Sequence, residues 1–372
     1  MTRAPQCFRR FQIAGALLLL TGSSAIAGNA ALQSACFPPS ALSAVAGEEA
    51  AQKGNRSFDR PEKLGDFKPA AGVAPELRGA IRRVDIPGGQ KAVALTFDLC
   101  EQRGEIAGYE GRIIDYLRQQ GVKATFFTGG KWMVSHQTRI QQLMLDPLFE
   151  IGNHTETHQN LRLVTPAIAR QQILAPQKTY EDTRARLAAN QCLSTSPSAL
   201  ESIPQQPRVF RFPYGACNDA TMKDVNDAGM LAIQWDVATG DPDPHVSAAA
   251  IANAMVHQTK PGSIIVNHAN GRGWHTAEAL PIAIPQLKAK GYTFVTVSEL
   301  IAMGKPVITR ECYDRKPGDT NRYDFLSALH HPLNGAGAAD KATKGWSAAT
   351  TVKKPQARVK PATTAKATRG SN

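Results

Sequence analysis
The chain has 372 residues, 42% hydrophobic and 20% charged, with a net charge of +12. That length and apolar content permit a sizeable core and exclude wholesale disorder, while 24 Pro and 30 Gly fall far short of a collagen-like chain. The apolar runs are shorter than the ~20 residues a membrane-spanning helix needs.

The charge sits at the two ends. Arg3, Arg9 and Arg10 precede residue 28 without an acid, and eight Lys and Arg follow from Lys341 onward, again without an acid. The stretch between is nearly neutral, which argues against a nucleic-acid partner, because such a domain carries a basic face. Residues 1–27 read as a signal peptide: three arginines, the apolar run Ile13–Leu20, then Ala25-Ile26-Ala27 as a cleavage pattern. The expected location is therefore periplasmic or secreted, an oxidising compartment. Without Cys7 the chain keeps five cysteines (Cys36, Cys100, Cys192, Cys217 and Cys312), an odd number that leaves at least one free, metal-bound or shared between chains. Cys192 and Cys217 bracket a Ser/Pro-rich stretch and are a candidate pair.

Residues 28–80 are poor in large apolar side chains and read as a loosely ordered lead-in. From there strand and helix patterns alternate. Lys91–Phe97 is an apolar strand, Gly111–Gln120 a helix closed by Gly121, and Val122–Thr128 a second strand. Gln137–Leu145 follows as a helix and Phe149–Gly152 as a strand. Thr165–Ala189 is helical, with Pro176 expected to kink or divide it. Further strands are expected at Val209–Phe212, Met230–Trp235, Gly262–Asn267 and Tyr292–Val297, with helices at Asp219–Ala228, Ser247–Gln258 and Thr276–Lys290. This alternation implies an α/β fold on a parallel sheet; a barrel fits the length, and an open doubly wound sheet is the alternative. Residues 341–372, rich in Ala, Thr, Lys and Pro, are expected to be a basic disordered tail. It suits electrostatic contact with a cell wall or acidic surface, or serves only to solubilise.

Polar residues stand at the ends of the expected strands, which in a parallel α/β barrel open onto one face. Asp98 ends the first strand, where an acid is costly to bury without strong hydrogen bonds or a metal. His154 and His158 stand at i and i+4 in HTETH; on a helical turn that spacing aims two imidazoles at one point, as a metal site requires. Arg211 in RFPYG stands where it could hold Asp98, although a strand arginine paired with a surface acid is the plainer reading. His268 ends GSIIVNH, and Asp236 and Asp241 could hold its second ring nitrogen.

The order of these motifs resembles the polysaccharide deacetylase family, carbohydrate esterase family 4. TFD at 96–98, HTETH at 154–158, RFPYG at 211–215, the stretch 235–241 and IIVNH at 264–268 are similar to its five motifs, and GYTFVTVSEL at 291–300 to its closing strand and helix. The resemblance implies a distorted (β/α) barrel over 81–304, followed by a C-terminal extension at 305–340. It implies a divalent metal ion, zinc by expectation, held by His154 and His158 with Asp98, and an acetylated polysaccharide as substrate. Asp98 would be the general base, oriented by Arg211. The Tyr214 backbone N–H would bind the oxyanion, and His268, oriented by Asp241, would protonate the leaving amine.

Two departures stand out. Where the family has a second aspartate as a metal ligand, this chain has Leu99, so either two histidines with waters suffice or Asp98, Cys100 or Glu101 reaches the ion. A thiolate there would favour a softer ion such as zinc. Pro242 also follows Asp241 where an aromatic is usual, with Asp236 and Asp243 as fallback partners for His268. The rival reading is a glycan-binding barrel impaired in turnover by Leu99.

Overall fold
A computed structural model describes residues 33–60, 70–194 and 200–324. The expected signal peptide, Cys7 and the basic tail lie outside the described residues. The strands are β1 (Gln52–Lys53), β2 (Ala80–Asp85), β3 (Ala92–Leu99), β4 (Glu105–Ile106), β5 (Ala124–Thr128) and β6 (Phe149–Asn153). They continue with β7 (Val209–Phe210), β8 (Leu231–Ile233), β9 (Val237–Ala238), β10 (Ile264–His268), β11 (Thr293–Val295) and β12 (Lys305–Thr309). The main sheet runs β12-β2-β8-β7-β6-β5-β3-β10-β9, with β11 also on β3. All these pairs are parallel except β12 on β2. Among the described residues β9 and β12 do not pair, so the sheet is a curled, incompletely closed (β/α) barrel. It also extends into Lys305–Thr309, past the boundary expected at residue 304.

The local causes are legible. All eight residues of β3 are buried, since a parallel strand covered on both faces reads as a continuous apolar run. The principal helices are α1 (Gly111–Gln120), α2 (Gly130–Ser135), α3 (Gln137–Leu145), α4 (Pro166–Ala188), α5 (Asp219–Asp227), α6 (Ala248–Gln258), α7 (Thr276–Ala289) and α8 (Val297–Ala302). Helix α1 buries Ile113, Ile114 and Leu117 and ends on Gly121 at φ 59°, a left-handed cap that glycine adopts without a Cβ penalty. Alternation along β3 sends Val93, Leu95, Phe97 and Leu99 into the layer under these helices and Ala92 and Ala94 to the opposite face.

Helix α4 carries Pro176 inside it and is not divided there, which excludes one of the two expected outcomes. A proline leaves the carbonyl four residues earlier without its helical donor. Here that carbonyl, on Gln172, accepts the Glu156 N–H at 3.0 Å. The described part of the lead-in is also better tied than its composition suggests. Phe37 is buried, Gln33 Nε2 donates to Asp146 Oδ2 at 3.1 Å, Arg139 Nε donates to Glu48 Oε1 at 2.7 Å, and Cys36 is bonded to Cys192. Polar bonds and a disulfide hold this segment, so apolar content gave no sign of it. The second disulfide joins Cys217 to Cys312, which overturns the Cys192–Cys217 pairing; Cys100 is free and buried.

Candidate active site
Register brings the first pair together. In the β3–β10 ladder Asp98 stands opposite His268, and β5 places Phe127 on its other side. Asn153 at the end of β6 pairs with Phe210 of β7, so His154 and Arg211 leave adjacent strands side by side. Asp98 Oδ1 accepts from Arg211 Nη1 at 2.8 Å, and its Oδ2 lies 3.6 Å from His154 Nε2. Arg211 has no exposed surface; its guanidinium stacks over Phe127 at 4.1 Å and faces Trp235 at 5.5 Å. Burial pushes the Asp98 carboxyl up, but Arg211, helped by His154 and His268, outweighs this and holds it below the usual carboxylate range.

The HTETH segment is not helical, contrary to the expectation from its spacing. Thr155 and His158 have φ of 66° and 56°, a left-handed backbone that non-glycine residues adopt only where surroundings enforce it. The two imidazoles are nonetheless brought together, with ring centroids 5.0 Å apart. The enforcement comes from α4. Besides the Glu156 bond to the Gln172 carbonyl, Gln172 Oε1 accepts the Thr157 N–H at 2.9 Å and its Nε2 donates to Thr157 Oγ1 at 2.8 Å. Asn153 Oδ1 accepts the Thr155 N–H at 2.9 Å. Gln172→Leu keeps the helix and removes two of these ties. If the histidines hold a divalent cation, the substitution is expected to lower the affinity for it by roughly 10–100-fold, the usual scale for a partner behind a ligand, with the circular dichroism unchanged. Unaltered zinc affinity by competitive titration would show that the loop holds its shape without Gln172.

His154 Nδ1 stands 2.8 Å from the Arg211 carbonyl oxygen, which accepts only if Nδ1 carries the proton, so Nε2 is left with its lone pair. That Nε2 is buried and has no hydrogen-bond partner among the described residues. Burial pulls the imidazole below the usual histidine range despite Asp98, which favours the neutral ligand form. Cys100 Sγ and a ring nitrogen each of His154 and His158 all lie within 4.8 Å of one another. Without a cation, burial pushes the Cys100 thiol up to about 12.

The opposite wall is built on Asp241, which is buried. Its Oδ1 lies 3.0 Å from His268 Nδ1, while its Oδ2 accepts the His268 N–H at 2.7 Å and the Thr276 hydroxyl at 2.8 Å. A side chain at Gly273 would begin 2.8 Å from Asp241 Oδ2, so the close approach there needs glycine. Burial pulls the His268 imidazolium down, but Asp241, with Asp98, leaves it above the usual histidine range. Tyr214 also has a left-handed backbone, φ 60°, and its ring packs 4.6 Å from that of His158.

Three expected alternatives have other partners. Glu101 faces the opposite direction: it accepts the Ala107 N–H and the Ser135 hydroxyl and lies 3.0 Å from Lys131 Nζ, so it is not a ligand for the His pair. Asp236 clasps the start of β10, accepting the Ile264 N–H and the Ser263 hydroxyl at 2.9 Å each, and does not serve His268 at the far end. Asp243 caps the His245 N–H instead. One strand-end carboxylate looks like another in a sequence; only register separates them.

Asp98, Cys100, His158, Tyr214, Asp241 and His268 line one cleft of about 640 Å³, together with Trp235, Arg315 and Tyr323, while His154 and Arg211 are buried beside Asp98. The stretch from Cys312 to Tyr323 as a cleft wall was missed by the sequence reading. It is tethered by the Cys217–Cys312 bond and by Trp235 Nε1 donating to Asp314 Oδ1 at 3.0 Å, and Tyr323 packs on Tyr214 at 5.7 Å. Cys312, a cysteine just past the expected barrel, was the one signal that pointed there.

The family model for polysaccharide deacetylase matches residues 85–233. Two peptidoglycan-N-acetylglucosamine deacetylases of Bacillus cereus are similar to this chain. One is 30% identical over 58% of the chain and 91% of its own length, the other 33% identical over 59% and 71%. A chitooligosaccharide deacetylase of a Bradyrhizobium strain is 28% identical over 57% of the chain and 91% of its own length. Among solved structures, that of a peptidoglycan N-acetylglucosamine deacetylase aligns with a TM-score of 0.50 at 28% identity, covering 61% of this chain and 94% of the other.

Proposed function
Since this chain belongs to the polysaccharide deacetylase family, carbohydrate esterase family 4, we propose that it hydrolyses N-acetyl groups of a glycan containing N-acetylglucosamine, with a divalent cation, outside the cytoplasm. The carrying observation is that Asp98, His158, Asp241 and His268 line one cleft while His154 and Arg211 are buried against Asp98, the six being drawn from five separate segments. The relatives that act on peptidoglycan and chitooligosaccharides support the substrate class. Two disulfides among the described residues support an oxidising compartment.

His154 and His158 fit a divalent cation: the lone pair on His154 Nε2 is buried without a hydrogen-bond donor, a costly state that a metal relieves. When bound, the cation polarises the acetyl carbonyl and acidifies the attacking water. Asp98 Oδ2 accepts that water's proton while Arg211 fixes Oδ1. The Tyr214 N–H, set by its left-handed backbone, donates to the oxygen that gains negative charge. His268, held at Nδ1 by Asp241, delivers a proton from Nε2 to the departing nitrogen. The C–N bond breaks, giving acetate and a free amine.

Purified protein supplied with zinc or cobalt is expected to release acetate from acetylated chitooligosaccharides or peptidoglycan, read by an enzymatic acetate assay. Binding to these glycans with no acetate released would instead support the impaired barrel that Leu99 suggests.

A further inference from the structure
We propose that Cys100 is the third protein ligand of the cation, its sulfur taking the role that a carboxylate at position 99 cannot take here. This rests on the metal-dependent reading above and adds the identity of the donor set.

The argument begins with the strand. Side chains alternate along β3, and Leu99 has no exposed surface and packs with Phe97, Ile113 and Trp132 under the helices. A donor at residue 99 in this backbone would point into that apolar layer. The next residue on the Asp98 side is Cys100, and its Sγ stands with the two imidazoles in a mutual spacing of 4.8 Å or less. Three donors around one cation at bond lengths of about 2.0–2.3 Å lie roughly 3.3–3.8 Å apart in a tetrahedron. The observed group therefore needs a contraction of at most about 1.5 Å.

Independent observations point the same way. With His154 Nδ1 taken by the Arg211 carbonyl, Nε2 is the ring nitrogen left to bind, and it is buried without a hydrogen-bond partner among the described residues. Asn270 Nδ2 donates to Cys100 Sγ at 3.2 Å and to the Cys100 carbonyl at 2.7 Å. An amide donor facing sulfur suits a thiolate and fixes where the sulfur points, as partners behind metal ligands do. The four other described cysteines are in disulfides, so Cys100 alone keeps a free sulfur. The competing carboxylate Glu101 is bound elsewhere, and Asp98 Oδ1 is held by Arg211.

A Cys-His-His set has softer donors than an Asp-His-His set and prefers zinc or cobalt to manganese or magnesium. As the metal–sulfur bond forms, the thiol proton passes to solvent, so one more proton is released per cation than a site of two histidines would release.

The decisive spectrum is that of the full-length protein loaded with one equivalent of cobalt(II), which needs no variant to fold. A near-ultraviolet thiolate-to-cobalt charge-transfer band is expected. It should vanish in Cys100→Ser, whose zinc affinity should fall at least about 10-fold, and in Cys100→Asp, which should keep a cation but gain affinity for manganese. Stoichiometric cobalt without the band, or a Cys100→Ser protein binding zinc as the parent does, overturns the sulfur ligand and leaves the two-histidine metal site standing. No binding of zinc or cobalt by the parent protein overturns both.

Discussion

Replacing Asp98 by Asn is expected to lower the proposed kcat by about 10²–10⁴-fold, the usual contribution of a positioned base, while binding of added divalent cation stays near that of the parent. The amide matches the carboxylate in shape and can still accept from Arg211 Nη1, but it cannot take a proton from water. The same change should also cost stability. Arg211 is wholly buried, and Asp98 is the carboxylate within hydrogen-bond reach of it. Removing one charge of a buried pair costs about 3–5 kcal/mol because the other stays uncompensated. A neutral amide that still accepts a bond should fall near the low end, about 3 kcal/mol, in a urea titration. The carboxyl is held below its usual range in the folded state, so this stabilisation is present above the ordinary carboxylate range and is lost as the pH falls through the lowered value. A D98N protein with parental turnover would remove Asp98 from the role of base.

The second large effect concerns the acid. His268→Ala is expected to reduce kcat by roughly 10²–10⁴-fold with zinc retained, since the His268 ring is assigned no metal contact. Asp241→Asn tests why His268 is suited to the task. The charged groups around that imidazole are Asp241 on the β9–α6 loop, Asp98 on β3 and Arg272 on the loop after β10. Asp241 and Asp98 raise it against burial, and Arg272 opposes them. A leaving-group acid works only while protonated, so activity fails as the pH rises through the His268 value. Asn at 241 removes the largest supporting charge and should move the alkaline limb of the kcat profile to lower pH. An alkaline limb that stays in place would mean it reports another group. His268→Ala should abolish that limb.

Much of this site was legible before any coordinates. The strand ends expected at Asp98 and His268 are present, His154 follows β6 directly, and Arg211, expected within a strand, follows the shorter β7; covered parallel strands are mostly apolar, so a charged residue at their ends marks the rim. What failed was an inference from local spacing. HTETH has the spacing of a helical turn yet lies in a strained loop, because the carbonyl that Pro176 leaves free in α4 is used to hold it, over a separation that no window of sequence covers.

The sequence by itself determined the motifs, the order of seven strands of the main sheet, and six cysteines, of which the five outside the expected signal peptide leave at least one without a partner within the chain. Only the tertiary structure decided which cysteine that is, because disulfide partners 156 and 95 residues apart are joined by the way the sheet curls and not by proximity in the chain. It likewise placed Asp241, not Asp236 or Asp243, against His268, and Cys100, not Glu101, beside the two histidines. Each choice among similar donors depends on strand register and on which face of the sheet a side chain takes, and a shift of one residue reverses that face.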